Sequence, residues 1–387
     1  MRIVDVSAFY TPHGGGVKTY VERKLITAAA RGHEMVVIVP GEADESREVA
    51  PGAILASVAS PTLPIDRRYR YFGDEAALHR AITAWRPDVL EASSPWSSAS
   101  MVARWPGSAP RSLVMHADPL SAYAYRWFGR VASIATIDRR FDRFWRHLRR
   151  LDAAFDAVVC ASADLANRLA AGGLRNTATI PMGVEPGMFS PRRRDARVRD
   201  ELLALCGLDP SATLLAGVGR YSPEKRWDMV IDAAVAAGVT TPVGLVLIGD
   251  GRSRRSLVVQ ASGSPHVVVG DAIRDRAALA TLMASVDVLV HGCEAETFCM
   301  AAAEARASGT PVIVPDRGGA ADHADDPSSR RYAAAKVDAL REAIVGLADA
   351  PRPRTSSLQT PVRTIDAHFA DLFGLYAGFH VPLREAA

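Results

Sequence analysis

Residues 291–311, HGCEAETFCMAAAEARASGTP, form the stretch around which this sequence is organised. Residues 287–290 before it (DVLV) and the apolar run 312–314 after it each predict a short buried strand. Between them, residues 300–308 are rich in alanine and favour a helix, with Gly309 placed as its C-terminal cap. The order strand, loop, helix, turn, strand predicts a parallel βαβ unit, and such sheets bind ligands at the carboxyl ends of their strands.

Two carboxylates stand out in this stretch: Glu296 in the loop and Glu304 on the helix, eight positions apart. The first turn of the helix, near residues 298–300, would offer unpaired N–H groups that suit an anionic phosphate. Ionised carboxylates only accept hydrogen bonds, so carboxylates on both sides of the phosphate pocket suit hydroxyl groups. The stretch therefore predicts a sugar-nucleotide site, with a surface helix carrying two solvated glutamates as the alternative.

The same stretch resembles the signature of retaining glycosyltransferases of family 4 (glycosyl transferases group 1), which adopt the GT-B fold. The residues that carry the resemblance are Glu296, Phe298, Glu304, Gly309, Pro311 and Val312. Cys299 departs from the pattern, because the family usually has glycine there. The resemblance implies that Glu304 holds ribose hydroxyls and Glu296 the hydroxyls of the sugar. The N–H groups that help hold the donor would be those around Phe298, Cys299 and Met300.

A second basic loop lies earlier, after a predicted strand that ends at Gly219 and Arg220. Arg220 and Lys225 lie in one strand-to-helix loop, where both can converge on an anion at the start of the helix. The pair resembles the family's Gly-Arg…Lys element, which grips the donor diphosphate; a solvated basic loop is the alternative. Arg226 stands where the family commonly has glycine. Gly249 follows another strand, in a segment that would accommodate the nucleotide base or ribose.

The first half of the chain contributes two further candidates. Residues 14–16 are three glycines between a strand and a helix, which lets the backbone approach a ligand closely. The resemblance implies that Gly15 and Gly16 face the donor phosphate across a cleft, although a purely structural turn is the alternative. His116 ends a strand over residues 112–116, and the family carries a histidine at the matching place, where it contacts the donor sugar. By resemblance His116 belongs to the site; the alternative is a structural bystander.

The resemblance implies an α/β protein of the GT-B class, with two Rossmann-like domains facing each other across a cleft. Residues 1–188 would form the acceptor-binding domain, residues 189–361 the nucleotide-sugar-binding domain, and a helix over 362–379 would cross back to the first domain. A length of 387 residues agrees with two domains. Residues 352–361, rich in proline, serine and threonine, are predicted to be a linker.

The implied activity is retaining transfer of a hexosyl unit from UDP- or GDP-hexose to a glycan or lipid-linked acceptor. The catalytic residues would be His116, Arg220, Lys225 and Glu296. Because no Asp-x-Asp occurs, we expect no essential metal and no cofactor besides the donor substrate. The alternative is a non-catalytic sugar-nucleotide-binding subunit of a glycosylation complex. A dehydrogenase is disfavoured because G-x-G-x-x-G is missing, and a phosphorylase of this fold would need a pyridoxal lysine and a much longer chain.

Composition restricts the binding partners and the cellular compartment that we expect for this protein. A net charge of +3 is too small to favour nucleic acid as the main partner. The four cysteines lack zinc-ligand spacing and are typical of free thiols in a reducing compartment; they are Cys160, Cys206, Cys293 and Cys299. The chain enters its first strand directly after Met1 and Arg2, which leaves no room for a signal peptide. We therefore expect a cytoplasmic protein.

Residues 137–151 predict one amphipathic helix with apolar residues at helical spacing and six arginines around them. One interpretation is a helix that rests on anionic lipid at the inner face of the membrane. The other is a helix packed on its own domain with a solvated basic face, favoured because Asp138, Asp142 and Asp152 dilute the charge.

Overall fold

The computed structural model describes residues 1–11, 16–64, 67, 69–129, 131–349 and 362–379. It contains an eight-stranded sheet in the first half of the chain and a six-stranded sheet in the second. Strand pairing is parallel throughout both sheets, except for one antiparallel edge strand in the first. The strands inside the two sheets are largely apolar and buried, as expected for parallel sheets covered by helices on both faces, whereas the strands at the sheet edges are shorter or more polar and partly exposed.

The first sheet has the order β3-β4-β2-β1-β5-β6-β7-β8. Its strands are β1 (Arg2–Ser7), β2 (Glu34–Gly41), β3 (Glu45–Ala50), β4 (Ala53–Ala59), β5 (Val89–Ser93), β6 (Arg111–Met115), β7 (Ala157–Cys160) and β8 (Thr177–Thr179). The helices of this half are α1 (Gly16–Ala30), α2 (Glu75–Trp85), α3 (Ser97–Arg104), α4 (Arg126–Phe128), α5 (Ile134–Arg140), α6 (Asp142–Asp152) and α7 (Ala163–Ala171). A π-helical segment, Leu120–Tyr125, runs directly into α4.

The second sheet has the order β11-β10-β9-β12-β13-β14. Its strands are β9 (Thr213–Val218), β10 (Val243–Ile248), β11 (Val267–Gly270), β12 (Val288–Val290), β13 (Val312–Pro315) and β14 (Arg330–Tyr332). The helices are α8 (Ala196–Leu205), α9 (Trp227–Gly238), α10 (Arg254–Ala261), α11 (Arg276–Ser285), α12 (Met300–Ala307), α13 (Val337–Ala348) and α14 (Ile365–Gly378).

The strand order of the second sheet reverses between β9 and β12, which are neighbours. Open α/β sheets bind ligands outside the carboxyl ends of the strands at such a point. The chain leaves β9 into Gly219 and Arg220, and leaves β12 into His291. The topology therefore brings the two loops singled out in the sequence to the same edge of one sheet.

Helix α14 returns to the first half of the molecule. Val184 and Thr364 form an isolated parallel bridge, so the outgoing and returning chains run side by side. Beyond the bridge, α14 contacts α1 and buries Phe369, Leu372 and Phe373 in the core beneath the first sheet. The predicted return of the last helix is confirmed. The boundary between residues 188 and 189 stays a prediction, and the predicted linker at 352–361 lies outside the described residues.

The single helix predicted over residues 137–151 is wrong. The structure has two helices, α5 and α6, which meet at Phe141, whose φ and ψ of −97° and 20° are not helical. Ile137, Leu148 and Leu151 are buried in the main core of the first half. The apolar face therefore packs on its own sheet, and only the arginine side of α6 remains outside.

Candidate active site

The loop after β9 lies against the end of β10. A Cβ atom added to Gly249 would lie 1.9 Å from the carbonyl oxygen of Gly219, so only glycine fits at this crossing. The indole Nε1 of Trp227 donates to the carbonyl of Arg220 at 2.8 Å, which fixes the far side of the same loop. These contacts hold the backbone from which Arg220 and Lys225 project.

Lys225 and Glu296 form an ion pair that joins the two loops, with Nζ of Lys225 bound to Oε1 of Glu296. His291 Nε2 lies 3.1 Å from the same carboxylate oxygen. Burial opposes both charges, but each partner stabilises the other. The pKa of Lys225 is therefore raised above its usual range, and that of Glu296 is lowered below its own. The pair is therefore ionised at neutral pH. The sequence analysis assigned Lys225 to the diphosphate and Glu296 to the sugar hydroxyls, and did not predict that the two side chains pair with each other.

Arg226 and Glu294 form a second ion pair between the same two loops. Arg226 Nε donates to Glu294 Oε2 at 2.7 Å, and its Nη2 donates to Oε1, so the contact is bidentate. Arg226 has a φ of +50°, in the left-handed region that glycine favours. This conformation explains why the family commonly has glycine here, and the bidentate pair offsets the cost of a larger residue.

The backbone of residues 294–299 is fixed by contacts with two glycines and a histidine. Gly319 donates its N–H to the carbonyl of Glu296 at 2.7 Å, and a Cβ on Gly318 would lie 2.4 Å from the carbonyl oxygen of Glu294. His323 Nε2 donates to the carbonyl of Phe298 at 2.6 Å, and burial lowers the pKa of that imidazole to about 4. The loop is thereby fixed as it enters α12.

Cys299 precedes the first residue of α12, Met300, and has a φ of +71°. A non-glycine residue in this conformation costs about 1–2 kcal/mol. The thiol is buried among Leu289, Ala302 and Val312, which compensates part of that cost. The glycine usual in the family is thus explained by backbone conformation.

His116 lies at the carboxyl end of β6, as predicted. Its ring packs edge-on against Tyr20 at 4.8 Å between centroids. Its carbonyl accepts a hydrogen bond from Thr297 Oγ1 at 3.3 Å, which joins the first half of the chain to the Glu296 loop. Burial and the nearby Lys24 charge lower the pKa of His116 to about 4, so the imidazole is neutral at pH 7.

Glu304 is buried on α12, where its Oε1 accepts from Arg276 Nη1 at 3.0 Å. Burial raises the pKa of Glu304 and the Arg276 guanidinium offsets part of that rise. The sequence identified Glu304 but missed Arg276, an arginine at the start of α11 with no motif around it. It also missed His291, although the position directly after β12 is a signal that would have found it.

Not every predicted residue converges on the pair of Lys225 and Glu296. The Arg220 guanidinium is largely exposed, and its described contact is with Glu224, at 3.4 Å. Gly16 begins α1. Gly15 lies outside the described residues, so its predicted role stays a prediction.

Three potential metal ligands lie close together here. One ligand atom each from His291, Glu296 and Cys299 lies within 4.8 Å of the others. The Lys225 ammonium is already bound to Glu296, so the carboxylate charge is compensated by a side chain of the protein. Burial also raises the pKa of the Cys299 thiol well above its usual range, which disfavours the thiolate that a metal needs. Lys225 therefore occupies the Glu296 carboxylate oxygen that a metal in this cluster would use.

We expect Gly249→Ala to destabilise the protein by about 1–3 kcal/mol, the range for forced overpacking, and to weaken donor binding. The new methyl group must displace the Gly219 carbonyl and with it the loop carrying Lys225. Denaturant unfolding and nucleotide titration measure the two effects. The matched control is Gly346→Ala on α13, where a Cβ meets nothing within 4 Å and should stabilise the helix by up to about 1 kcal/mol. If Gly249→Ala keeps wild-type stability and nucleotide affinity, the close approach of Gly249 to the Gly219 carbonyl is not needed for the fold or for binding, which would contradict this prediction.

Two family models match the chain. One, described as glycosyltransferase family 4, matches residues 14–187, and the other, described as glycosyl transferases group 1, matches residues 212–350. A GDP-mannose-dependent alpha-(1-6)-phosphatidylinositol dimannoside mannosyltransferase from Mycobacterium tuberculosis is 35% identical over 318 residues, covering 81% of this chain and 79% of the relative. A GDP-mannose-dependent alpha-mannosyltransferase from the same species is 30% identical over 326 residues, covering 83% and 81%.

Solved structures show the same architecture at low sequence identity. A sucrose-phosphate synthase from Thermosynechococcus elongatus superposes with a TM-score of 0.71 at 19% identity, covering 98% of both chains. At that identity the likeness shows the fold alone. It confirms the GT-B fold class expected from the sequence.

Proposed function

This chain belongs to glycosyltransferase family 4, and from that premise we propose that it transfers a mannosyl residue from GDP-mannose to a lipid-linked acceptor. The reaction proceeds with retention and without a metal. The choice between UDP- and GDP-sugars, which the sequence left open, is supported by the relatives, whose names specify GDP-mannose. The observation that carries the proposal is the ionised Lys225–Glu296 pair between the two loops at the switch point of the second sheet.

In this proposal the diphosphate binds beside Lys225, at the N-terminus of α12. The first turn of a helix presents N–H groups without intrahelical partners, which suits phosphate oxygens. As the bond between the anomeric carbon and the diphosphate breaks, negative charge grows on the leaving oxygen, and the Lys225 ammonium stabilises it. The exposed Arg220 guanidinium is in the same loop and supplies a second cation once donor is present.

Glu296 takes the sugar hydroxyls, and His116 approaches the sugar from the first half of the chain. Because His116 is neutral, it orients hydroxyl groups and adds no positive charge beside the oxocarbenium-like carbon. The acceptor oxygen bonds to the anomeric carbon on the face that the diphosphate leaves. Its proton passes to the departing phosphate oxygen, so no separate nucleophile is required.

We expect GDP to raise the melting temperature of the protein more than UDP or ADP does, and EDTA to leave that shift unchanged. A ligand at 100 times its Kd stabilises the native state by about 2.7 kcal/mol. A thermal-shift panel of the three nucleotides, each with and without EDTA, measures this. A shift that EDTA abolishes would contradict the metal-free site, and a preference for UDP or ADP would contradict the donor.

The lipid-linked acceptor is supported by an exposed surface in the first half of the chain. Its apolar members are Tyr123, Trp127, Phe128, Val131 and Ile134, all at least 42% exposed. Phe128 packs against Phe141 at 6.3 Å, which places these residues beside the start of α6. The arginines of α6 line an open cavity of about 740 Å³; they are Arg143, Arg146, Arg149 and Arg150. We call the two groups together the lipid-contact surface.

Aromatic residues next to a basic helix face suit the boundary of an anionic bilayer. The interpretation differs from the helix predicted over 137–151, because the apolar contact comes from residues between Tyr123 and Ile134, the first residue of α5, and α6 contributes only its arginines. Within the described part of the chain, every helix is too short or too polar to span a bilayer.

We expect the protein to co-sediment with vesicles containing phosphatidylinositol and less with pure phosphatidylcholine. The double variant Arg143→Ala, Arg150→Ala should bind the anionic vesicles roughly tenfold or more weakly, since each basic residue near the surface contributes about 1 kcal/mol. The control is the double variant Arg252→Ala, Arg255→Ala, which removes two exposed arginines from the second half. Equal loss in both double variants would contradict a specific lipid-contact surface.

A further inference from the structure

Arg276 contacts three residues that are distant from one another or from it in the sequence, Glu185, Phe189 and Glu304. It is the first residue of α11. Its Nη1 donates to Glu304 Oε1 at 3.0 Å, and its Nη2 lies 4.0 Å from Glu185 Oε2. Its guanidinium also lies over the ring of Phe189, at 4.9 Å from the centroid. The Arg276 side chain is 44% exposed, and these three contacts hold its guanidinium on the sides that face the protein.

The contact with Arg276 explains how the buried Glu304 carboxylate can stay ionised and accept hydrogen bonds from ribose hydroxyls. The Glu304 side chain is only 8% exposed, and an ionised carboxylate in such a place needs a charged partner. Among the described residues, Arg276 is the cation that faces it, while the nearby Glu185 charge opposes ionisation of Glu304. Without Arg276, burial would favour the neutral acid, which is a poorer acceptor for two hydroxyl groups.

The geometry of the pair also leaves room for a ligand. Arg276 occupies Oε1 of Glu304, so Oε2 remains to accept from a ribose hydroxyl. The guanidinium is fixed in turn by the Phe189 ring and by Glu185. Both lie on the segment that follows the bridge between Val184 and Thr364, where the chain passes between the two sheets. Arg276 therefore orients the Glu304 carboxylate, and Arg276 is itself held by Glu185 and Phe189 of the segment between the two sheets.

We propose that Arg276 is a positioning residue for donor binding: it holds the Glu304 carboxylate ionised and turned so that its free oxygen accepts the ribose hydroxyls of the nucleotide. The inference rests on the proposed function, because it requires a nucleoside diphosphate in this site. It adds a residue outside the motifs and assigns it to recognition of the ribose rather than of the base or the diphosphate.

The test compares the Kd of GDP with that of 2′,3′-dideoxy-GDP, by calorimetry, in wild type and in Arg276→Ala. A charged hydrogen bond to a hydroxyl contributes about 1.5–3 kcal/mol, so wild type should prefer GDP by roughly tenfold or more. Arg276→Ala should lose most of that preference while binding the dideoxy compound nearly as wild type does. Arg276→Lys keeps the charge and should restore part of the preference. Arg274→Ala, which removes an exposed arginine from the loop directly before α11, is the control and should keep the full preference for GDP.

A variant that binds both compounds more weakly by the same factor would overturn the proposal, because Arg276 would then act on the fold or on another part of the nucleotide. Wild type that does not distinguish the two compounds would overturn it as well, since Glu304 would not hold the ribose. If wild type binds UDP or ADP instead of GDP, the proposed donor is wrong, and the same comparison with that nucleotide still decides the role of Arg276. Binding of no nucleotide at all would overturn both.

Discussion

Lys225→Ala should lower kcat/KM for mannosyl transfer by about 10²- to 10³-fold, the size seen when one preorganised donor is removed from a developing oxyanion. The ammonium is buried, ionised and bound to Glu296. Its loss removes the charge that, in the proposed mechanism, stabilises the leaving diphosphate. It also leaves the buried Glu296 carboxylate without its partner, which raises the cost of keeping that group ionised.

Steady-state kinetics on the purified variant measure this effect, and the melting temperature checks that the variant is folded. Lys336→Ala removes an exposed lysine and should leave the kinetics unchanged. A loss of less than about tenfold in Lys225→Ala would mean that this cation does not carry the leaving-group charge. The burden would then fall on the exposed Arg220.

Lys24→Met should destabilise the protein by about 3–5 kcal/mol, because it breaks a buried ion network at one member. The ammonium is fully buried on α1, 3.2 Å from Asp5 Oδ2 and in contact with Glu91 Oε2. Tyr376 of α14 donates its hydroxyl to the same Glu91 oxygen. Burial alone would lower the pKa of Lys24, but the two carboxylates raise it. Removing the cation leaves Asp5 and Glu91 buried without compensation.

The expected drop in melting temperature is on the order of 10 °C. The matched control is Lys336→Met, an exposed lysine at the start of α13, for which we expect a change within about 0.5 kcal/mol. Since Tyr376 ties α14 to this network, protection of α14 in hydrogen exchange should fall in Lys24→Met. A variant that melts with wild type would contradict the network's role.

The sequence predicted the elements whose signals are local. Residues 300–308 differ by only one residue from the observed α12, because alanine propensity and the Gly309 cap act within a few residues. His116 was placed correctly at the end of β6 because the apolar run before it defines the strand. The return of the last helix came from the family resemblance and not from any local pattern.

What the sequence could not predict depends on contacts between distant residues. Lys225 and Glu296 are 71 positions apart, and their pairing follows from the order of β9 and β12 in the sheet. Arg276 and Glu304 meet because α11 and α12 pack side by side. The break at Phe141 was also missed, because the helical spacing of apolar residues continues through residue 141.

The most direct measurement of the central claim is transfer of labelled mannose from GDP-mannose to a phosphatidylinositol-mannoside acceptor in the presence of EDTA. We predict that label enters the lipid fraction, that GDP is released in equal amount, and that Lys225→Ala loses both. If the protein binds GDP but forms neither labelled lipid nor free GDP from GDP-mannose, the proposed enzymatic activity is contradicted and a non-catalytic binding subunit is favoured. Turnover that needs an added metal would contradict the proposal that Lys225, and not a metal ion, stabilises the diphosphate.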